Sequence, residues 1–200
     1  MGHELSWIAA WDRSVFELIN ISFSSEFFNI LMPYLSDMRF WAIPMGLAWI
    51  VWFFKTDRNG KFIALSCFLV VAATDQISAT LIKPAVQRER PCNVVPSCNY
   101  YDVDHDKWIR TDRFGLTEYK SSYSFPSNHA ANIAGQAVFW SYFYPQASPV
   151  FIMIALGVGY SRVYLGHHYP LDVAAGYLLG IVVALGFAYP LRIWILQDND

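Results

Sequence analysis

The sequence is short of charge. Asp, Glu, Lys and Arg make up 15% of its 200 residues, where a soluble domain carries about 25%. With 55% of residues hydrophobic and 18% aromatic, that deficit argues against an ordinary soluble domain and for an integral membrane protein. There is no surplus of positive charge either. The formal net charge is −2, which removes the overall electrostatic case for a nucleic-acid partner. Cysteine is scarce, with three in the chain and no metal-type spacing among them. Cys67 lies inside an apolar run and reads as packed core. Cys92 and Cys98 flank a polar loop and would pair only if that loop lies in an oxidising compartment. Repeats and low-complexity segments are absent. The first 25 residues carry Glu4, Asp12, Arg13 and Glu17 without a basic start and a clean apolar core, so no cleavable signal peptide is expected.

What is present is a series of apolar segments. Residues Leu5–Ile21 place Leu5, Ile8, Trp11, Val15, Phe16 and Ile19 at helical spacing with charges between them. That pattern predicts an amphipathic helix at the membrane surface, with Trp7 and Trp11 in the headgroup region. Phe27–Leu35 is apolar but short, either half a span or one span together with the preceding helix. Phe40–Phe54 and Phe62–Ile82 are clear spans, joined by a tight turn containing Lys55, Arg58 and Lys61. After a polar stretch, Ser127–Tyr144, Pro149–Tyr164 and Tyr169–Trp194 complete the set. The expectation is one all-α domain over 1–200, a transmembrane bundle of five or six spans. Residues 1–38 would form its entry, and 83–125 an extracytoplasmic loop over the site. Three positive charges in the short 55–61 turn argue that it is cytoplasmic, which puts the long loop on the opposite side.

Three polar clusters then fall at one membrane face. The first runs from Lys83 to Arg90-Pro91, the second is Pro126-Ser127-Asn128-His129, and the third is the corner Ser161–Asp172. Ionisable groups this close to a bilayer are costly, so they mark function by default. Lys83, Arg90 and Arg162 supply cations, and arginine forks match phosphate oxygens. Ser127 and Asn128 open a helix whose free N–H groups face the same anion. Two histidines can then divide phosphoryl transfer. His168, four residues before Asp172, is the candidate nucleophile with the carboxylate as its orienter. His129 is left as general acid.

On these residues the chain resembles the type-2 phosphatidic acid phosphatase family of membrane lipid phosphatases. Lys83 with Arg90-Pro91 matches that family's first motif. Ser161-Arg162, His168 and Asp172 match the third. Pro126-Ser127-Asn128-His129 matches the second except that Asn128 stands where the family has glycine. The resemblance implies a metal-independent phosphatase, without cofactor, that works through a phosphohistidine and usually has six helices. It also implies a lipid phosphate or pyrophosphate as substrate: undecaprenyl pyrophosphate, phosphatidylglycerol phosphate, phosphatidic acid or a lipid A phosphate. The location would be multi-pass in a cell membrane of the bacterial inner-membrane type, and the small size leans towards an isoprenyl pyrophosphate or a broad range. Oligomeric state is left open.

Other readings compete. A membrane phosphotransferase would use the same anion site. An intramembrane hydrolase would use Ser127 as nucleophile, but no strained Gly-x-Ser-x-Gly elbow surrounds it and the cations would be superfluous. A transporter would carry its charges through the midplane rather than at one face. A metal held by His129, His168 and Asp172 would be repelled by the neighbouring cations. Taken singly, His167 reads as exposed, and Arg88 and Lys120 as solvated charges or headgroup contacts. Asp75, Gln76, Asn132 and Gln136 read mainly as interhelical hydrogen-bonding groups.

Overall fold

A computed structural model describes residues 4–112 and 118–198. The chain is mostly helical. Helix α1 (Glu4–Glu17) continues through a π-helical turn (Leu18–Ser22), then the chain turns by 116° into α2 (Glu26–Ser36). Ser25 ends the turn because its hydroxyl accepts the Phe28 N–H. Asp37 and Asp57 cap the starts of α3 (Met38–Lys55) and α4 (Arg58–Gln76) in the same way, satisfying N–H groups that have no partner within the helix. Helix α4 runs on through a second π-helical stretch (Ile77–Ile82) into α5 (Lys83–Val86). Gln87 stops it in the left-handed region, at φ 51°.

The polar stretch is not a bare loop. It holds the short helix α6 (Pro91–Val94) and an antiparallel hairpin of β1 (Asn99–Asp102) and β2 (Lys107–Arg110), with Asn99 opposite Arg110. The expectation of an all-α chain is corrected to that extent. Helices α7 (Asn128–Phe143), α8 (Ser148–Tyr164) and α9 (Pro170–Asp198) follow.

Among the described residues, three helical stretches are long and apolar enough to cross a membrane: Arg58–Val94, Pro145–Tyr164 and Pro170–Asp198. The count is four if the bent α1–α2 pair is one span. Helix α7 is the centre of the bundle, packing most extensively on α9 and also on α8 and α4. The α7–α9 contact is built from small residues. A methyl added at Gly176 would meet the Ser127 carbonyl oxygen at 2.5 Å, and one at Gly180 would meet the Gly135 nitrogen at 2.7 Å. Close backbone approach by small residues is how helices associate where no hydrophobic effect drives them together. Outward faces are apolar, with Leu47, Phe68, Met153, Leu156, Leu178 and Val182 all exposed. Helix α3 has no buried residue.

Helix α1 differs from the surface helix expected of it. Trp7 and Trp11 are exposed, but Asp12 and Phe16 are both fully buried. Its charged residues therefore do not all lie on the outer face.

Candidate active site

The three polar clusters converge at one end of the bundle, around the corner between α8 and α9. Gly166 makes that corner, at φ 78°, and a Cβ there would lie 2.6 Å from the Asn99 carbonyl oxygen. Only glycine fits both the left-handed backbone and the close approach of the hairpin. Beyond it, the Arg162 carbonyl accepts from the backbone N–H groups of both His167 (3.2 Å) and His168 (3.3 Å). The turn thus presents His168 at the start of α9, beside Asp172.

His168 is 2% exposed. Its Nε2 lies 3.1 Å from Arg90 Nη1. Arginine can only donate, so Nε2 carries the lone pair and the ring proton sits on Nδ1. Nδ1 is buried with no hydrogen-bond partner and stands 3.7 Å from Asp172 Oδ2. Burial and then the charges of Arg90, Arg162 and Lys83 hold the His168 pKa well below its ordinary value, so the ring is neutral at physiological pH.

Two of the three cations, Lys83 and Arg90, are held mainly by backbone carbonyls. Lys83 Nζ donates to the carbonyls of Tyr123 (2.8 Å) and Pro126 (3.0 Å). Arg90 donates to the Ser122 and His167 carbonyls and to the Ser122 hydroxyl. Buried Arg162 donates Nη1 to the Ser36 hydroxyl at 2.6 Å, and its Nε has no partner. Ser36, at the end of α2, had no sequence signal. It ties the N-terminal hairpin of helices to this site.

Ser127 caps α7. Its Oγ accepts the Ala130 N–H, its own N–H donates to the Asp172 carbonyl at 3.0 Å, and it is fully buried. A hydroxyl used as a cap and closed off from substrate is a poor nucleophile. Asn128 turns its side chain away from the anion site. Its Oδ1 accepts from Ser78 Oγ (2.7 Å) and its Nδ2 donates to Asp75 Oδ1 (3.0 Å). What this position offers an anion is its backbone N–H, in the first turn of α7. Asn132 also donates to Asp75, and Gln136 to the Cys67 carbonyl, so this polar seam joins α4 to α7. His129 is half-buried in the first turn of α7, within electrostatic reach of Arg162, Arg90, Lys120 and Lys83.

Two single-residue expectations are corrected. His167 is 1% exposed, packs edge-on against Tyr100 and lies 3.0 Å from the Tyr101 carbonyl through Nε2. It holds the hairpin down and is not exposed. Arg88 is no solvated charge. It bridges Asp172 Oδ1 (2.7 Å) and Asp12 Oδ2 (2.6 Å), with its guanidinium 4.0 Å above the Tyr169 ring. Cys92 and Cys98 are both buried free thiols.

The arrangement is a buried neutral imidazole with its lone pair facing Arg90, and with Arg162, Lys83 and a second imidazole, His129, in electrostatic reach. It suits an oxyanion with a negatively charged leaving group.

The chain is similar to several known proteins. The chain is 26% identical over 78% of its length to the bacitracin transport permease protein BcrC of Bacillus licheniformis, covering 68% of that protein. It is 32% identical over 78% of its length to a lipid A 4'-phosphatase of Bacteroides thetaiotaomicron, covering 66% of it. It is 29% identical over 83% of its length to an undecaprenyl-diphosphatase of Sulfolobus acidocaldarius, covering 71% of it. The chain thus spans about two thirds of the length of these relatives. Its fold is that of the transmembrane PAP2-type phosphatidylglycerolphosphate phosphatase of Bacillus subtilis, with a TM-score of 0.65 at 22% identity over 95% of this chain and 87% of that one. The Aquifex aeolicus LpxE structure is similar at a TM-score of 0.59 and 22% identity, over 86% of this chain and 91% of that one. The match to the PAP2 superfamily runs over residues 64–194, from within α4 almost to the end of α9, and on that extent the chain belongs to this superfamily.

Proposed function

We propose that this protein is a membrane-embedded lipid phosphatase that removes a phosphate from a lipid phosphate or pyrophosphate through a phosphohistidine. The observation that carries the reading is the state of His168: neutral, its Nε2 lone pair facing the Arg90 guanidinium, and its Nδ1–H facing a carboxylate.

Lys83, Arg90, Arg162 and the backbone N–H of Asn128, in the first turn of α7, bind the phosphoryl oxygens, while the Ser127 N–H stays on the Asp172 carbonyl. Arg90 releases His168 Nε2 as it takes up a phosphate oxygen. Nε2 attacks phosphorus, the Nε2–P bond forms and the bond from phosphorus to the leaving oxygen breaks. His129 gives that oxygen a proton. The imidazole now carries a positive charge, balanced by Asp172. Water then attacks phosphorus, the P–N bond breaks, and His129 takes up the water's proton. The cations supply the charge stabilisation throughout, so the cycle runs without a metal.

The substrate's tail lies in the bilayer against the exposed apolar faces, with the headgroup reaching the corner. We favour an isoprenyl pyrophosphate, in line with the undecaprenyl-diphosphatase of Sulfolobus acidocaldarius among the relatives. Helix α3, of 18 residues, and α7, of 16, are read as further spans, giving five, or six with α1–α2. The basic 55–61 turn is cytoplasmic, and the site faces the other side of a bacterial inner membrane.

The test is phosphate release by the detergent-purified protein, with chelator present, from undecaprenyl pyrophosphate, phosphatidylglycerol phosphate, phosphatidic acid and a lipid A phosphate. Release that survives chelator and is lost in His168→Ala is expected. A folded protein that acts on none of them, or a His168→Ala variant with the wild-type rate, overturns the proposal.

A further inference from the structure

Asp12 is fully buried, on a helix that lies outside the sequence motifs of the site. Its two oxygens reach different groups. Oδ1 accepts the backbone N–H of Leu171 at 2.9 Å, in the first turn of α9. Oδ2 accepts from Arg88 at 2.6 Å, and the same guanidinium donates to Asp172 at 2.7 Å. One arginine is therefore shared between two buried carboxylates. The remaining Asp172 oxygen accepts the Tyr169 N–H at 2.9 Å and faces His168.

The charge count is what matters. Asp172 and Arg88 alone would be a neutral pair, with nothing left to balance a cation on His168. Adding Asp12 gives the three groups a net charge of −1, counted from their ordinary charges. We propose that Asp12 is a positioning residue for phosphoryl transfer: by sharing Arg88, it leaves Asp172 with net negative charge for the imidazolium that forms when His168 Nε2 bonds to phosphorus. This rests on the reading of His168 as nucleophile.

The groups facing this relay are few. His168 faces Arg90, Arg162, Lys83 and His129 as well as Asp172. Asp172 faces Arg88 and Ser124, with Lys83 and Arg90 in electrostatic reach. On α1, Arg13 is paired with Glu17 at the surface. Arg90, Arg162 and Lys83 all oppose a positive His168, so the net charge behind Asp172 decides whether the imidazolium is tolerated.

The experiment compares Asp12→Asn, Asp12→Glu and Arg88→Gln with wild type, using orthovanadate and inorganic phosphate as probes. Vanadate takes an apical nitrogen bond that places positive charge on the imidazole, and phosphate makes only ionic and hydrogen-bonding contacts. The ratio of the two affinities isolates the imidazole's charge from the general pull of the site on anions. Asp12→Asn is expected to lower that ratio roughly tenfold or more, although removing a negative charge should by itself favour any anion. Asp12→Glu is expected to stay within about threefold of wild type. The acid limb of kcat/KM should move by about one pH unit in opposite directions, down in Asp12→Asn and up in Arg88→Gln, because the first weakens and the second strengthens the negative charge behind His168. An unchanged affinity ratio, or acid limbs that move together or not at all while thermal stability falls, overturns the proposal and leaves Asp12 as a fold anchor. If the wild type binds vanadate but releases no phosphate from any lipid, the phosphatase reading fails while the affinity ratio still decides the role of Asp12.

Discussion

Gly180 lies two helical turns from Asp172, yet a single methyl there should reach the chemistry. A Cβ at this position would stand 2.7 Å from the Gly135 nitrogen and would press on the Ala131 carbonyl oxygen. Ordinary contact needs about 3.5 Å, so relieving the Gly135 contact alone parts α7 and α9 by roughly 0.8 Å, and the nearer Ala131 oxygen asks for more. Neither neighbour is a flexible side-chain end that can swing aside. Overpacking of this kind costs about 1–3 kcal/mol. The displacement also propagates, because α7 carries Ser127 and His129 at its start while α9 carries Asp172 at its own. The two starts are joined by the Ser127 N–H to Asp172 carbonyl bond of 3.0 Å. A misplacement near 1 Å between reacting groups costs on the order of 100-fold in rate. Gly180→Ala should therefore lower thermal stability in detergent and reduce kcat by about 10–100-fold, with kcat falling more than KM rises. Gly186→Ala is the control: it lies on the same helix, a Cβ there meets nothing within 4 Å, and it should gain up to about 1 kcal/mol from helix propensity. Stability by size-exclusion after heating and single-turnover phosphate release would measure both. A Gly180→Ala protein with wild-type stability and rate would refute the claim that helix spacing sets the site.

The remaining expectations concern the site itself. His129→Ala should slow hydrolysis of a lipid phosphate far more than that of an aryl phosphate with a good leaving group, because the acid assists departure; equal loss on both would count against His129 as the acid. Asn128→Gly, which restores the family's usual residue, should keep activity within about threefold while lowering stability by about 1–2 kcal/mol, since Ser78 and Asp75 lose a partner. A thermal scan paired with the phosphate assay checks both halves. His167 and His168 have folded pKa values held well below the ordinary 6.5 by burial and neighbouring arginines. The unfolded chain therefore binds more protons as pH falls below about 6.5. Their stabilisation is complete above that pH and declines below it, by up to about 1.4 kcal/mol per unit for each. Melting temperatures between pH 7.5 and 5 should fall for wild type and less for His167→Gln.

What the sequence disclosed and what it hid follow one division. That Lys83, Arg90, Ser127, His129, Arg162, His168 and Asp172 gather at one corner was legible because they sit in three short fixed spacings, and short spacings survive folding unchanged. Helices α3, α4, α8 and α9 were legible for a similar reason, since an apolar run of the right length has few alternatives in a bilayer. Asp12 and Arg88 were not, because their meaning is a contact across 76 residues of chain. On sequence alone each is one charge on an amphipathic helix or in a polar loop, and solvent is the ordinary place for it. Ser36 meets Arg162 across 126 residues and was silent for the same reason. The Gly176 and Gly180 pair did have a local signal, two glycines four apart in an apolar helix, which marks a close helix–helix seam. Asn128 shows how the two kinds of information combine. The motif identifies the position by its departure from glycine, but only the distant Asp75 and Ser78 explain it. They draw the amide onto α4 and the π-helical stretch that continues it. A departure from a motif is therefore best judged by where its side chain finds partners, and at Asn128 those partners lie outside the site.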